Sequence, residues 1–401
     1  MAFRSFFLKA AACAAFAFSA LAAPSLRAEP AAAKPFTTSV PHVFLMDADT
    51  GTVLFEKGAD DLVVPAATVK IMTAELVFHA LVKGRLHLDD EFTVSDHAWM
   101  TGGAPARASS MFAAVHSKIS VANLLRGLII VSGNDAAIVL AEGIAGSESA
   151  FAKLMTQRAH KLGFNHLTFT DVWGRDDPDQ RVTARDMAEL SAYVIKTYPQ
   201  FYKWFGRRDF TWNKIHQYNR NPLLAMNIGA DGLKTGNVGK SSGYSLVASA
   251  VQNGQRLVLA MYGARTPKER AAEARKILDW GFRSFAMKTL FKAGEVVGSA
   301  SMFEGTREYV PLLADAPIKV LVPRGATDPL TARIVYTGPI QAPIKKGDQI
   351  ARLQVMRGKD RILSAPLQAA VSVGVGPLPR RAMDAGLELG IGMFRKYVLK
   401  E

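Results

Sequence analysis

Apolar residues recur along this chain at spacings that change twice, and each spacing predicts a different kind of element. Two short strand-like runs at 43–46 and 52–55 flank Asp49-Thr50-Gly51 and predict a hairpin. Pro65 then predicts the opening of a helix, at a position where its missing N–H costs nothing. Met72, Leu76 and Leu81 carry the helical stripe, and Gly84 ends it. Further helices are predicted between residues 121 and 197, punctuated by Gly, Asp and Pro. Near Gly229 the texture becomes that of strands, at 232–236, 244–250 and 256–262, the last two joined across an Asn253-Gly254 turn. A charged amphipathic stretch at 268–285 predicts a helix covering one face of that sheet. The first part of the chain therefore reads as an α/β (α+β) unit. Its sheet must be assembled from segments at both ends of the unit, with a helical insertion between them.

After about residue 288 the pattern shifts again, to short alternating runs at 309–313, 318–322, 332–336, 350–356 and 363–365. Pro, Gly and Asp separate them, which predicts a small all-β domain. Without a nucleophile–base set it reads as a spacer or binding module. The tail from 380 to 401 returns to helical spacing: Met383, Leu387, Ile391, Phe394 and Val398 share one face. Arg380, Arg381, Arg395, Lys396 and Lys400 decorate the rest. A basic amphipathic helix of this kind suits the surface of an anionic membrane. Gly386, Gly390 and Gly392 each weaken it by about 1 kcal/mol in water, so it is expected to fold on a surface. Packing on its own domain is the other way such a helix is stabilised.

Composition adds a compartment. Arg4 and Lys9 precede an apolar, alanine-rich run from residue 10 to 23, too short to span a bilayer and built like a secretory leader, with small-residue cleavage sites near Ala22 and Ala28. The one cysteine, Cys13, lies inside that leader, so the exported chain has no thiol and no disulfide. Its histidines form no His-x-x-x-His pair or His-Glu-x-x-His motif, so no metal and no cofactor is expected. The formal net charge of +14 falls to +11 once the leader's three cations are removed. In an exported chain this balance points to anionic lipid or anionic wall polymer, and nucleic acid is not expected as a partner.

Three short motifs carry candidate chemistry. Ala67 and Lys70 lie three apart on the first helix and share a face, whereas Thr68 points about a hundred degrees away. Ser132-Gly133-Asn134 falls between apolar helical runs and reads as a turn projecting two polar groups one way. Lys234-Thr235-Gly236 lies on a strand, with Lys234 and Gly236 facing one side and Thr235 the other. A strand-borne lysine beside a hydroxyl suits a carboxylate, and the glycine admits a close-lying backbone or ligand.

In this order and spacing the motifs resemble the Ser-x-x-Lys, Ser-x-Asn and Lys-Thr-Gly set of penicillin-binding proteins and serine β-lactamases. The chain is similar in particular to the low-molecular-mass D-alanyl-D-alanine carboxypeptidases. Flanking segments carry the likeness further: Ala48-Asp49-Thr50-Gly51-Thr52-Val53-Leu54, Lys70-Ile71-Met72-Thr73-Ala74, Val131-Ser132-Gly133-Asn134-Asp135-Ala136-Ala137, Asn219-Arg220-Asn221 and Asp231-Gly232-Leu233. The resemblance implies a transpeptidase fold, a helical insertion, a small all-β domain and a C-terminal amphipathic helix. It implies removal of the terminal D-alanine from a peptidoglycan stem peptide through an acyl-enzyme, with β-lactams as ligands. By the same resemblance Lys70 is a general base and Ser132 a proton relay. Asn134 holds the substrate amide, Lys234 and Thr235 hold the terminal carboxylate beside Gly236, and Arg270 lies near that carboxylate. The oxyanion hole uses the backbone N–H of Ala67 and one from the third-motif strand.

One residue departs from the pattern. At the nucleophile's position the chain has Ala67, a methyl group where the family has a serine hydroxyl. Loss of that nucleophile in another serine hydrolase costs about 10⁶ in turnover, on the order of 8 kcal/mol of barrier. The expectation is a chain that binds stem peptides and is impaired in hydrolysing them. The alternatives are an active enzyme whose Ala67 is an introduced or erroneous substitution, and a membrane-associated wall-binding scaffold. The expected organisation is a leader at 1–28, a linker at 29–40, the carboxypeptidase-like domain at 41–287, the all-β domain at 288–378 and the anchoring helix at 379–401. The expected location is periplasmic, at the outer face of the inner membrane.

Overall fold

A computed structural model describes residues 36–239, 241–326, 329–358 and 360–394. The expected leader and the end of the tail, 395–401, lie outside the described residues. Strands β1 (His42–Asp47) and β2 (Val53–Lys57) form the hairpin that the Asp-Thr-Gly turn predicts. Gly51 adopts φ +71 there, and the Asp47 carboxylate accepts from the N–H and hydroxyl of Thr50. The chain then runs through α1 (Lys70–Val82), β3 (Glu91–Thr93), α2 (Asp96–Gly102), β4 (Lys118–Ser120), α3 (Val121–Ile129), α4 (Asn134–Ala145) and α5 (Glu148–Lys161). After α6 (Ala184–Thr197) and the short α7 (Pro199–Tyr202) come the hairpin β5 (Asp209–Trp212) and β6 (Ile215–Tyr218). Strands β7 (Ala230–Asn237), β8 (Tyr244–Gln252) and β9 (Gln255–Ala264) follow, and α8 (Pro267–Ser284) closes the unit.

The main sheet has the order β2-β1-β9-β8-β7, antiparallel throughout. Its centre pairs β1 with β9, about 210 residues later in the chain, so both ends of the unit meet in one sheet as the pattern predicts. Side chains alternate between the two faces. Phe44, Met46, Val258 and Ala260 enter the core shared with the helical insertion. Leu45 and Leu257 point the other way and meet Gly281 of α8. Any larger residue at Gly281 would overlap both leucines, because an added Cβ would lie 2.8 and 2.9 Å from their methyl groups. Within the helical insertion, α4 is buried throughout its first two turns.

From β10 (Phe285–Phe291) onward the chain is all-β, with β11 (Val296–Phe303), β12 (Tyr309–Leu313), β13 (Ile318–Pro323), β14 (Leu330–Val335), β15 (Ile340–Gln341), β16 (Gln349–Arg357) and β17 (Asp360–Ala369). Six of these form one sheet in the order β14-β16-β17-β12-β11-β15, and β10 pairs with β13. This domain has its own core around Val310, Leu312, Val320, Leu353, Val355 and Leu367. Helix α9 (Leu378–Phe394) ends the described chain.

Candidate active site

The first motif opens differently from its expected geometry. The chain makes one 3₁₀ turn, Ala66–Val69, before the α-helix begins at Lys70. At three residues per turn, side chains three apart eclipse, so Ala67 and Lys70 align along the turn. Thr68 is directed into the core instead. Its hydroxyl donates to the Pro65 carbonyl at 2.6 Å and lies 3.0 Å from the Tyr262 hydroxyl, fully buried. It is held away from Ala67's direction, as the spacing predicts.

Lys70 is buried and donates from Nζ to Asn134 Oδ1 at 2.6 Å and to the Trp173 carbonyl at 2.9 Å. Burial pushes its ammonium down to about 7, against the opposing pull of the Asp171 and Asp135 carboxylates. A lysine poised there is in the range for proton abstraction at neutral pH. The first and second motifs are therefore in direct contact.

Two buried carboxylates hold the loops around this lysine. Asp135 accepts from the Ser110 hydroxyl and from the backbone N–H of Met111, Ala113 and Ala136. Asp171 accepts from the N–H of Trp173, Gly174 and Arg175 and from Gln180 Nε2. The Asp171 loop delivers the Trp173 carbonyl to Lys70 and lays Gly174 on the first motif. A Cβ at Gly174 would lie 2.0 Å from the Ala66 carbonyl oxygen. Neither aspartate, nor Trp173 or Gly174, is marked by any side-chain periodicity, because each acts through backbone groups of an irregular loop.

Ser132 and Ala66 both sit in the left-handed region, at φ +63 and +52. For residues bearing a Cβ this costs about 1–3 kcal/mol each, a strain that concentrates at functional sites. Asn134 is the first residue of α4, and its N–H donates to the Ser109 carbonyl at 2.8 Å. The second motif is thus a turn entering a helix, and the two polar side chains do not share a helix face. The nearby Ser110 hydroxyl is committed to Asp135, to which it donates at 2.6 Å.

The third motif lies on β7, at the edge of the main sheet. Lys234 Nζ reaches the carbonyls of Ile129 and Leu128, at 3.3 and 3.5 Å, at the negative end of α3. Its pKa is held well below the usual lysine value by burial, then by Lys70, then by Arg220. Gly236 faces the first motif: a Cβ there would lie 2.8 Å from the Ala66 Cβ and 3.1 Å from the Ala67 nitrogen. Thr235 lies between them, buried. Arg270 Nη1 donates to the Gly236 carbonyl at 3.4 Å, and its Nε is buried with no hydrogen-bond partner among the described residues. Arg220, which the sequence marks only within Asn219-Arg220-Asn221, belongs electrostatically to this cluster. Asn221 Nδ2, donating to the Gly232 carbonyl at 2.8 Å, ties that segment to β7.

The result is an α/β core in which Lys70 and Arg220 both act on the buried Lys234, and Arg270 holds the carbonyl of Gly236 beside Ala67. A sequence profile described as D-alanyl-D-alanine carboxypeptidase matches residues 29–266, and one described as the penicillin-binding protein 5 C-terminal domain matches 285–374. The D-alanyl-D-alanine carboxypeptidase DacC of Escherichia coli (strain K12) is 40% identical over 343 residues, 85% of this chain and 86% of the relative. DacA of Haemophilus influenzae is 37% identical over 364 residues, 89% and 91% of the two chains. The crystal structure of penicillin binding protein 5 from Haemophilus influenzae superposes with a TM-score of 0.77 at 36% identity, covering 86% of this chain and all of that one. This chain belongs to the serine-type D-alanyl-D-alanine carboxypeptidase family.

Proposed function

We propose that the chain binds the D-alanyl-D-alanine end of peptidoglycan stem peptides, and β-lactams that resemble it, without turning them over. The observation that carries this reading is the cluster of Lys70, Lys234, Arg220 and Arg270 around the Gly236 edge. Charging the buried Lys234 beside Lys70 and Arg220 costs energy that a ligand carboxylate would offset, and the buried Arg270 Nε, without a partner among the described residues, is ready to donate. In this reading Lys234 and Thr235 hold the carboxylate, Asn134 holds the amide and the Ala67 N–H serves the oxyanion site. Lys70 and Ser132 keep the positions of base and proton relay, with no hydroxyl at Ala67 for them to activate.

The reading divides the chain as a ligand-binding domain at 41–287, an all-β domain at 288–378 and a terminal helix at 379–401. It places the protein outside the cytoplasm, in the periplasm, with α9 lying on the outer face of the inner membrane. Among the described residues no helix is long and apolar enough to cross a membrane. Leu378 and Met383 of α9 are largely exposed, which supports a surface contact.

Labelling with a fluorescent penicillin tests the central claim. The chain is expected to give no covalent band while retaining non-covalent binding of a D-alanyl-D-alanine peptide, and Ala67→Ser is expected to restore the band. A band from the unmodified chain would establish a surviving nucleophile and overturn the reading. No band from either protein would show that the pocket is incompetent.

A further inference from the structure

The hairpin β5–β6 stands beside the second motif. Its inner face carries Phe210 and Trp212, packed on the core of the helical region, and Gln217, whose Nε2 donates to the Ser110 carbonyl at 3.0 Å. Asn213 and Lys214 form its two-residue turn, at φ +46 and +64, the geometry that suits a tight antiparallel pair. Register places Asp209 opposite Tyr218 and Thr211 opposite His216, so these four share the outward face. There the His216 and Tyr218 rings meet edge to face at 4.9 Å, and Tyr218 is 68% exposed.

Charge on this segment is one-sided. Between residues 203 and 220 stand Lys203, Arg207, Arg208, Lys214 and Arg220, against the single acid Asp209. All five cations are exposed, and among the described residues none is ion-paired, whereas Asp209 faces His216 at 3.5 Å. The segment ends beside the candidate site, since Arg220 is one of the charges acting on Lys234 and Asn221, next along the chain, is bonded to β7. It is also held rigidly, since Asn219 Nδ2 donates to the carbonyls of Phe205 and Arg207.

We propose that this hairpin, with cations at its base and turn and the exposed Tyr218 on its outer face, is a second docking surface for anionic glycopeptide polymer, engaging carboxylate-bearing peptides next to the one held in the cleft. This rests on the stem-peptide reading of the cleft. Lys214 at the hairpin turn is separated from the Arg220 end by a four-residue strand, roughly 13 Å and more than a dipeptide spans. Only a ligand that repeats its charge along a chain uses both places at once, and such linkage raises avidity without strengthening either contact. The exposed Tyr218 ring offers a flat, partly apolar surface suited to a sugar ring.

The test compares the full chain with the variant Arg207→Glu/Arg208→Glu/Lys214→Glu and with a charge-matched control, Lys153→Glu/Lys288→Glu/Lys292→Glu. Arg220 is left intact because it neighbours the cleft. Each protein is titrated with purified peptidoglycan sacculi, with a short peptide ending in D-alanyl-D-alanine, and with phosphatidylglycerol vesicles. The hairpin variant is expected to bind sacculi at least tenfold more weakly, to bind the short peptide unchanged, and to lose its difference from the parent in high salt. Equal sacculus binding by hairpin variant and control would overturn the proposal, as would a defect confined to vesicles. A parent chain that binds sacculi through the hairpin but ignores the short peptide would sink the cleft reading and leave the surface standing.

Discussion

At the scale of single residues, the site is organised by carboxylates that never touch a ligand in the proposed reading. Asp171 takes four N–H groups and is the foremost charge opposing the depression of Lys70's pKa. In the Ala67→Ser protein, acylation by a β-lactam is expected to rise about tenfold per pH unit and to level off above about 7, as Lys70 loses its proton. Asp171→Asn is expected to move that inflection to lower pH and to slow acylation at the plateau. A purely structural aspartate would lower the melting temperature and leave the inflection in place, which is the outcome that would refute the positioning role. Stability follows the same proton. Because the folded chain holds Lys70 with a depressed pKa, it binds fewer protons than the unfolded chain between about 7 and the ordinary 10.5. Stability gains from this group as pH rises through that window, and the cost of charging the buried amine is fully present below it.

At the scale of elements, two glycines decide how closely the motifs approach. Gly174, at φ +97, lies against Ala66 and Ala67, where a Cβ would overlap backbone at 2.0–2.6 Å. Gly174→Ala is expected to cost roughly 2–6 kcal/mol in urea unfolding, combining left-handed strain with overpacking, and to weaken β-lactam binding at the same time. Gly84→Ala provides the comparison: at φ +65 with nothing within 4 Å of an added Cβ, it should cost strain alone. Equal losses at both sites would show that the Gly174 contact is unimportant. These loops explain what the sequence could and could not disclose. The β1–β2 hairpin, the stripe of α1 and the strands around the Asn253-Gly254 turn are legible because periodicity and turn chemistry act locally. The β5–β6 hairpin escapes, since Asn213-Lys214 lacks the glycine that marks such turns, and β10, β11 and β15 lack clean alternation. Pro65 signals a helical start but cannot distinguish a 3₁₀ turn from an α-helix, because it fixes only φ. Lys70, Ser132, Asn134 and Lys234 are legible as motifs, whereas Asp171 is a side chain serving distant backbone and leaves no spacing to read.

At the scale of the whole molecule, the terminal helix is held where it leaves the all-β domain. Asp384 accepts from the Glu304 N–H at 2.9 Å. Arg381 lies 3.6 Å from Glu304, and Arg380 lies 3.8 Å from Glu308 while donating to the Thr306 carbonyl. Two of the arginines that the sequence assigns to a lipid-facing helix are thus partly engaged by the turn between β11 and β12. Partly exposed pairs of this kind contribute at most about 1 kcal/mol each, so the clamp orients the helix without committing the charges. Removing residues 379–401 is therefore expected to reduce binding to phosphatidylglycerol vesicles at least tenfold and to leave the affinity for a short D-alanyl-D-alanine peptide unchanged. Glu304→Lys separates clamp from anchor. It breaks the ion pair with Arg381 and adds a cation beside the helix, so vesicle binding should rise if the tail is the membrane contact. Unchanged vesicle binding in both proteins would place any membrane attraction elsewhere on this strongly basic chain, and flotation assays across a salt series would read that difference directly.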